Sequence, residues 1–225
     1  PWEGGGALRA DQDPWQTVSA SAIPHDEGYS PPHALTNAEI EALIDRFVDA
    51  AHRAQRAGFD FIELHGAHGY LLHQFLSPLS NVRSDAWGGT PEKRRRLIVE
   101  VARAVARAVP GMMLGARLSV TDWVDGGLTA QDSVATAKAL KAAGVSYICC
   151  SSGGLSSLQK VPVGAGYQVH LATAIRDGAD IPVRAVGMID KPQQAEEIVA
   201  GGRADMVALA RAFIADPRWP WRAAA

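Results

Sequence analysis

MLGARLSVTDWVDGGLTAQDSVATAKALKAAGVSYICCS, residues 113–151, holds one complete structural unit, and its reading decides the fold. Met113–Ser119 is a short, almost continuous apolar run, the pattern of a strand buried on both faces. Thr129 supplies an N-cap for a helix from about Ala130 to Ala143. Val145–Ser151 is a second apolar strand. Strand, helix and strand at this spacing form a parallel crossover unit.

The unit recurs in both directions. Phe59–His65 is a strand, followed by a loop and a helix that opens at Thr90-Pro91, with Leu97, Ile98, Val101 and Val105 on its apolar face. Downstream come a helix around Val169–Arg176, a strand at Ile181–Val186, a helix at about Pro192–Ala200 and a strand at Asp205–Ala210. Upstream, Thr36-Asn37-Ala38-Glu39 has capping-box form. Ile40, Leu43, Ile44, Phe47, Val48 and Ala51 follow it at helical spacing, and Gly58 ends that helix. Residues 1–35 are dense in Pro and Gly and read as an irregular loop or lid. The chain is thus a single domain, with residues 36–225 forming a helix plus five βα units.

Doubly wound sheets and closed barrels both alternate in this way. No strand is followed by GxGxxG, which weakens a doubly wound dinucleotide fold. Polar side chains gather instead at the C-terminal ends of several strands: His65 and His68, Arg117, Ser151 and Ser152, Arg211. A (β/α)8 TIM barrel assembles its active site on that face. Five strands can be counted where eight are needed, so three βα units are expected before Pro1.

Bulk properties narrow the partners. The 225 residues carry a net charge of −2, which gives no reason to expect nucleic acid or an anionic membrane. No apolar run approaches the ~20 residues that span a bilayer. The two cysteines, Cys149 and Cys150, are adjacent and read as core packing in a reducing cytosol.

The strongest chemical signal is His65-Gly66-Ala67-His68-Gly69-Tyr70 at a strand's end. Two imidazoles three residues apart can direct N–H groups at one oxygen that gains negative charge. Tyr70 beside them is a candidate proton donor. Against this stand a packed structural histidine with Tyr70 in the core, and a zinc site of His65, His68 and Glu63. Glu63 is expected to alternate away from His65, and no Cys or Asp cluster helps, so no metal is assigned. Arg117 lies inside an apolar strand, where a guanidinium needs an anionic or electron-rich partner. Either an internal salt bridge to Glu63 or Asp122, or a ligand, supplies it. Gly187 and Ala210-Arg211 end the last two strands, where barrels often cradle phosphate; a surface ion pair is the plainer role for Arg211. Ser151-Ser152-Gly153-Gly154 is a small loop suited to lie near the same ligand. Lys93–Arg96 reads as a solvated face. His25, His33, His52, His73 and His170 show no partner pattern.

HGAHGYLLHQFLSPLSNVRSDAWGGTPEKRRRL (65–97) resembles the Old Yellow Enzyme family of flavin-dependent ene-reductases, in particular the bacterial YqjM and xenobiotic-reductase-like subclass. ARLSVTDW, CCSSGG, PVRAVGMI and ALARAFIADP resemble the family's later strands in the same order, and PWEGGG its loop after the third strand. The resemblance implies a (β/α)8 barrel with noncovalent FMN, NADPH (or NADH) as reductant and an activated alkene as substrate. It implies that His65 and His68 grip the substrate's oxygen and that Tyr70 protonates the α-carbon. Arg117 would lie against the flavin ring, with Ser152 and Gly153 nearby and Gly187, Ala210 and Arg211 at the phosphate. Ala210 departs from the glycine of several relatives, a change that leaves its backbone N–H in place. A cytoplasmic homo-oligomer is expected of the full-length protein. The family's first three strands, which bring further flavin contacts, and its C-terminal tail, which lends an arginine to the neighbouring subunit, are expected to be missing here, so the chain alone should hold FMN weakly and associate through open strand edges. A flavin-free phosphate-binding isomerase or lyase, with Asp122 or Asp125 as base, and an inactive barrel fragment are the competing readings.

Overall fold

A computed structural model describes residues 6–224. The PWE and first two glycines of the opening motif lie outside the described residues. Two short segments, β1 (Val18–Ser19) and β2 (His33–Ala34), pair in parallel within the stretch expected to be irregular. That stretch is anchored. Arg83 donates to the carbonyls of Ala20 (3.0 Å) and Leu35 (2.6 Å), and the Val82 N–H donates to Ser21 Oγ at 3.1 Å. Backbone acceptors far from Arg83 in sequence made this order invisible to local composition.

Helix α1 (Asn37–Arg56) begins at the expected capping box. The Glu39 carboxylate accepts the Thr36 N–H at 2.7 Å and lies 2.9 Å from His33 Nε2. The Thr36 N–H first, and His33 next, hold Glu39 down at about 2.

Five parallel strands follow in chain order: β3 (Phe61–Gly66), β4 (Met113–Ser119), β5 (Tyr147–Ser151), β6 (Val183–Ala185) and β7 (Met206–Val207). The helices between and after them are α2 (Leu71–Leu76), α3 (Pro91–Arg94), α4 (Arg96–Ala108), α5 (Ala130–Ala142), α6 (Val169–Ala179), α7 (Pro192–Ala200), α8 (Arg211–Ala215) and α9 (Trp219–Ala223). Helices α2, α8 and α9 are short pieces inside segments expected to be loop or tail. The Thr129 cap forms as a full capping box with Asp132.

Register explains the two faces. Leu64, Ala116, Ile148 and Val183 lie side by side on the face that the helices cover, inside one continuous apolar core. The other face carries a row of aligned residues: His65, Arg117, Cys149, Arg184 and Met206. Consecutive strands with helices on one face and titratable groups on the other make a segment of a (β/α)8 barrel. A doubly wound sheet would be apolar on both faces. Cys150 points to the helices and Cys149 to the barrel interior; both are buried free thiols, and burial raises both thiol pKa values.

Glu63 corrects an expectation. Strand side chains repeat every two residues, so Glu63 shares the interior face with His65 rather than opposing it. There it pairs with Arg184 and accepts the Tyr147 hydroxyl at 2.9 Å. The Arg184 guanidinium also sits 5.1 Å from the Tyr147 ring centroid. Below this cluster Phe61, Met113 and Met206 leave apolar surface exposed on the interior floor.

Lys93–Arg96 is another correction, because only part of it is a solvated face. Arg94 donates to the Leu76 carbonyl at 3.1 Å, and the Arg96 guanidinium lies 4.6 Å from the Trp87 ring centroid. These contacts fasten α3 to the end of α2, and α4 to the loop between α2 and α3.

Candidate active site

Three strand ends meet at the histidine motif. His65 is the penultimate residue of β3, and the chain turns through Ala67–Tyr70 into α2. His68 adopts φ +58, a left-handed conformation that costs a non-glycine residue about 1–3 kcal/mol and persists only where its surroundings enforce it. Its N–H donates to Ser119 Oγ at 2.9 Å, and Ser119 in turn donates to the Gly153 carbonyl at 2.8 Å. The His68 loop also packs directly on the backbone after β5. A Cβ on Gly154 would come within 2.6 Å of His68 Cα, and one on Gly69 within 2.4 Å of the Gly154 carbonyl oxygen. Only glycine permits that approach.

The aromatic side chains cluster as a result. The His65 and His68 ring centroids are 5.3 Å apart, and the Tyr70 ring is 5.2 Å from His65. His65 and Tyr70 are exposed, while His68 is half-buried with Nε2 2.6 Å from Ser151 Oγ. Burial, then the neighbouring Arg117 guanidinium, lower the pKa values of both imidazoles, that of His68 to about 4. Both rings are therefore neutral near pH 7 and act as hydrogen-bonding groups rather than charges.

A pH dependence follows. Between the ordinary imidazole value of 6.5 and about 4, the unfolded chain binds a proton at His68 that the folded chain rejects. Stability should be fully present above that window and fall as pH drops through it. Denaturant midpoints at pH 7 and pH 5 should differ less in His68→Asn than in the parent; equal differences would show the pKa of His68 to be unperturbed.

Arg117 has neither of the carboxylates offered to it. Glu63 is engaged by Arg184 and Tyr147, and Asp122 is sealed against His73. Among the described residues Arg117 has no ion pair, and its Nε is buried without a hydrogen-bond partner. It faces a cavity of about 780 Å³ whose wall includes His68, Ser151, Gly187, Ala210 and Arg211. That volume suits a cofactor-sized molecule. Arg211 is exposed and makes no ion pair among the described residues, so the surface-pair role is not seen. No partner is found among the described residues for the backbone N–H of Gly187 or Ala210.

Ser152 and Gly153 are not on that wall. The Ser152 hydroxyl donates to Gln168 Oε1 at 2.5 Å, and the Gly153 N–H donates to the Thr121 carbonyl at 2.8 Å. Ser151 takes the position expected of them, because strand alternation turns it to the interior. Gln168, which also lines the cavity, escaped sequence reasoning; it is a lone amide at the start of α6, and only its contacts mark it.

His73 and Asp122 form a second unforeseen pair, and both are fully buried. His73 Nδ1 accepts the Gly69 N–H at 2.9 Å, and His73 Nε2 lies 2.9 Å from Asp122 Oδ1. Asp122 Oδ2 accepts the Ser77 hydroxyl at 2.6 Å and the Leu128 N–H at 2.7 Å. A carboxylate so enclosed is no general base, and Asp125 is exposed and off the cavity wall. Neither aspartate offered as the isomerase's base is placed to act on a ligand in the cavity. No cluster of three or more His, Cys, Asp or Glu suited to a metal is found among the described residues, and no helix among them is long and apolar enough to cross a membrane.

Comparison with known proteins matches residues 2–225 to the family described as "NADH:flavin oxidoreductase / NADH oxidase family". An "NADPH dehydrogenase" of Geobacillus sp. (strain WCH70) is 46% identical over 93% of this chain, which spans 61% of that protein's length. A solved structure of a 2-naphthoyl-CoA reductase with 2-naphthoyl-CoA is similar over 93% of the chain and 33% of its own, at 30% identity and a TM-score of 0.86. An old yellow enzyme homologue from Zymomonas mobilis is 27% identical over 92% of the chain and 61% of its own, with a TM-score of 0.77.

Proposed function

Because the chain belongs to the NADH:flavin oxidoreductase / NADH oxidase family, we propose that the protein is an FMN-dependent oxidoreductase that reduces the C=C bond of activated alkenes, with NADPH or NADH as reductant. The observation that carries the reading is Arg117. It is a cation in a strand, with no ion pair among the described residues and a buried Nε that has no hydrogen-bond partner, on the wall of a cofactor-sized cavity.

The residues present fit FMN. The unpartnered guanidinium of Arg117 suits the electron-rich pyrimidine edge of an isoalloxazine, and Arg211 with the backbone N–H groups of Gly187 and Ala210 suits a phosphate. FMN held by these residues would supply the hydride. The chain's own work is placement and proton handling. His65 and His68 each donate one N–H to the oxygen of an α,β-unsaturated carbonyl or nitroalkene, where negative charge grows. Tyr70 gives its hydroxyl proton to the α-carbon, and solvent can reprotonate it because the ring is 62% exposed. Cys149 and Cys150 are free and buried, which suits a reducing compartment; a cytoplasmic location and homo-oligomeric assembly belong to the same proposal.

FMN titration of the 225-residue chain, followed by flavin fluorescence, tests this. Weak but saturable quenching is expected, and Arg117→Met should raise Kd by about tenfold or more, since hydrogen bonds to charged groups are worth about 1.5–3 kcal/mol. No quenching, or an unchanged Kd in the variant, would exclude the cavity as a flavin site.

A further inference from the structure

A neutral imidazole has a single N–H, so His68 can donate to a substrate from only one ring nitrogen. Which one is decided by Ser151. Its Oγ lies 2.6 Å from His68 Nε2, close enough for a strong hydrogen bond in either direction. Suppose His68 donated. Ser151 would then need an acceptor for its own proton, and the one within reach among the described residues is Gln168 Oε1 at 3.4 Å. That oxygen can accept twice and already takes the Ser152 hydroxyl at 2.5 Å, but at 3.4 Å its bond to Ser151 would be long and weak beside the 2.6 Å contact to His68. The Gln168 amide cannot turn to shorten that contact, because its Nε2 donates to the Val186 carbonyl at 3.2 Å. The opposite direction gives the Ser151 proton its short contact: Ser151 donates and His68 Nε2 accepts at 2.6 Å. Nδ1 then carries the ring's proton, and it makes no hydrogen bond among the described residues.

We propose that Ser151, left without a near second acceptor by the Ser152–Gln168–Val186 chain of hydrogen bonds, donates to His68 Nε2 and fixes the Nδ1–H tautomer, leaving the Nδ1 proton free for a ligand oxygen. Ser151 is thus a positioning residue that acts through His68. The tautomer stands on these contacts alone. The use of Nδ1–H on an alkene substrate's oxygen rests on the function proposed above.

Nuclear magnetic resonance of the chain labelled with ¹⁵N-histidine reads the tautomer directly, with the His68 signals assigned by their loss in His68→Asn. At pH 7, His68 Nε2 should resonate as an unprotonated nitrogen and Nδ1 as a protonated one. Ser151→Ala should move most of the population to Nε2–H, the form free imidazole side chains favour, and Ser151→Thr, which keeps the hydroxyl, should restore Nδ1–H. A protonated Nε2 in the parent, or an unmoved tautomer in Ser151→Ala, would overturn the proposal. Cyclohexenone reduction with FMN and NADPH is read in parallel. Ser151→Ala should lose about 10²-fold in turnover, the usual cost of one oxyanion donor, and Ser151→Thr should lose only a few-fold. A shifted tautomer with unchanged turnover would instead remove His68 from the proposed reaction and leave the tautomer assignment intact.

Discussion

Replacing Asp122 with alanine is expected to lower the unfolding free energy by about 3–5 kcal/mol, the cost of removing one partner from a buried ionic or hydrogen-bonded pair. Asp122 is completely enclosed and receives the Ser77 hydroxyl at 2.6 Å and the Leu128 N–H at 2.7 Å, with His73 Nε2 2.9 Å away. Alanine would leave two donors, the Ser77 hydroxyl and the Leu128 N–H, without an acceptor where water cannot reach them, each costing about 1–3 kcal/mol, and would take away the carboxylate beside the buried His73 ring. The damage would spread to the histidine loop, because His73 takes the Gly69 N–H through its other ring nitrogen. For a chain of this size each kcal/mol moves the thermal midpoint by about 2–4 °C, so a fall on the order of 10 °C is expected. Burial alone would raise the Asp122 pKa, but contact with His73, then the donors Ser77 and Leu128, outweigh it and leave the carboxyl below its usual value of 3.8. The stability it contributes is thus present above that value and lost as pH falls through the folded pKa. Calorimetry on Asp122→Ala at neutral pH checks the claim, and a change below about 1 kcal/mol would mean that the pair is not holding the loop.

The same residues show where sequence reading succeeds and where it stops. Strand β4 and helix α7 have the limits that apolar periodicity gave them, and the Thr36, Thr90 and Thr129 caps form where hydroxyls precede carboxylates or proline. These are local signals, complete within a few residues. The interior row of His65, Arg117 and Arg184 needs strand register, which local pattern alone does not supply. Glu63 illustrates the cost: its face follows from simple alternation, but its partners, Arg184 and Tyr147, come from β6 and β5. His73 shows no partner pattern in the sequence, and Asp122 reads there as a partner for Arg117 or as a base, because the two stand 49 positions apart (122 − 73). Ser152 and Gly153 looked like ligand contacts because a serine–glycine loop at a strand end has the right composition. Their hydrogen bonds go to Gln168 and Thr121 instead, and strand alternation assigns the cavity to Ser151.

Replacing both His65 and His68 with alanine is expected to lower kcat/KM for cyclohexenone by at least about 10³-fold, since one oxyanion donor is worth roughly 10²–10³ and two donors on one oxygen do not add simply. The effect should come from lost hydrogen bonds rather than lost charge. Both pKa values are lowered by burial and by Arg117, and the two ring centroids are only 5.3 Å apart, so a second positive charge there is disfavoured. Two consequences separate this account from a general loss of structure. FMN affinity should fall less than in Arg117→Met, because the guanidinium and the backbone of Gly187 and Ala210 remain. The parent's rate should also show no acid limb from His68 between pH 8 and pH 5, because that ring stays neutral down to about 4. The single variants decide how the work is shared. His68→Ala should cost more than His65→Ala, because His68 is fixed by Ser119 and Ser151 while His65 is exposed and pays more entropy to hold one orientation. A double variant that keeps more than a tenth of the parent's kcat/KM would take the imidazole pair out of the mechanism, whatever Arg117 does for the flavin.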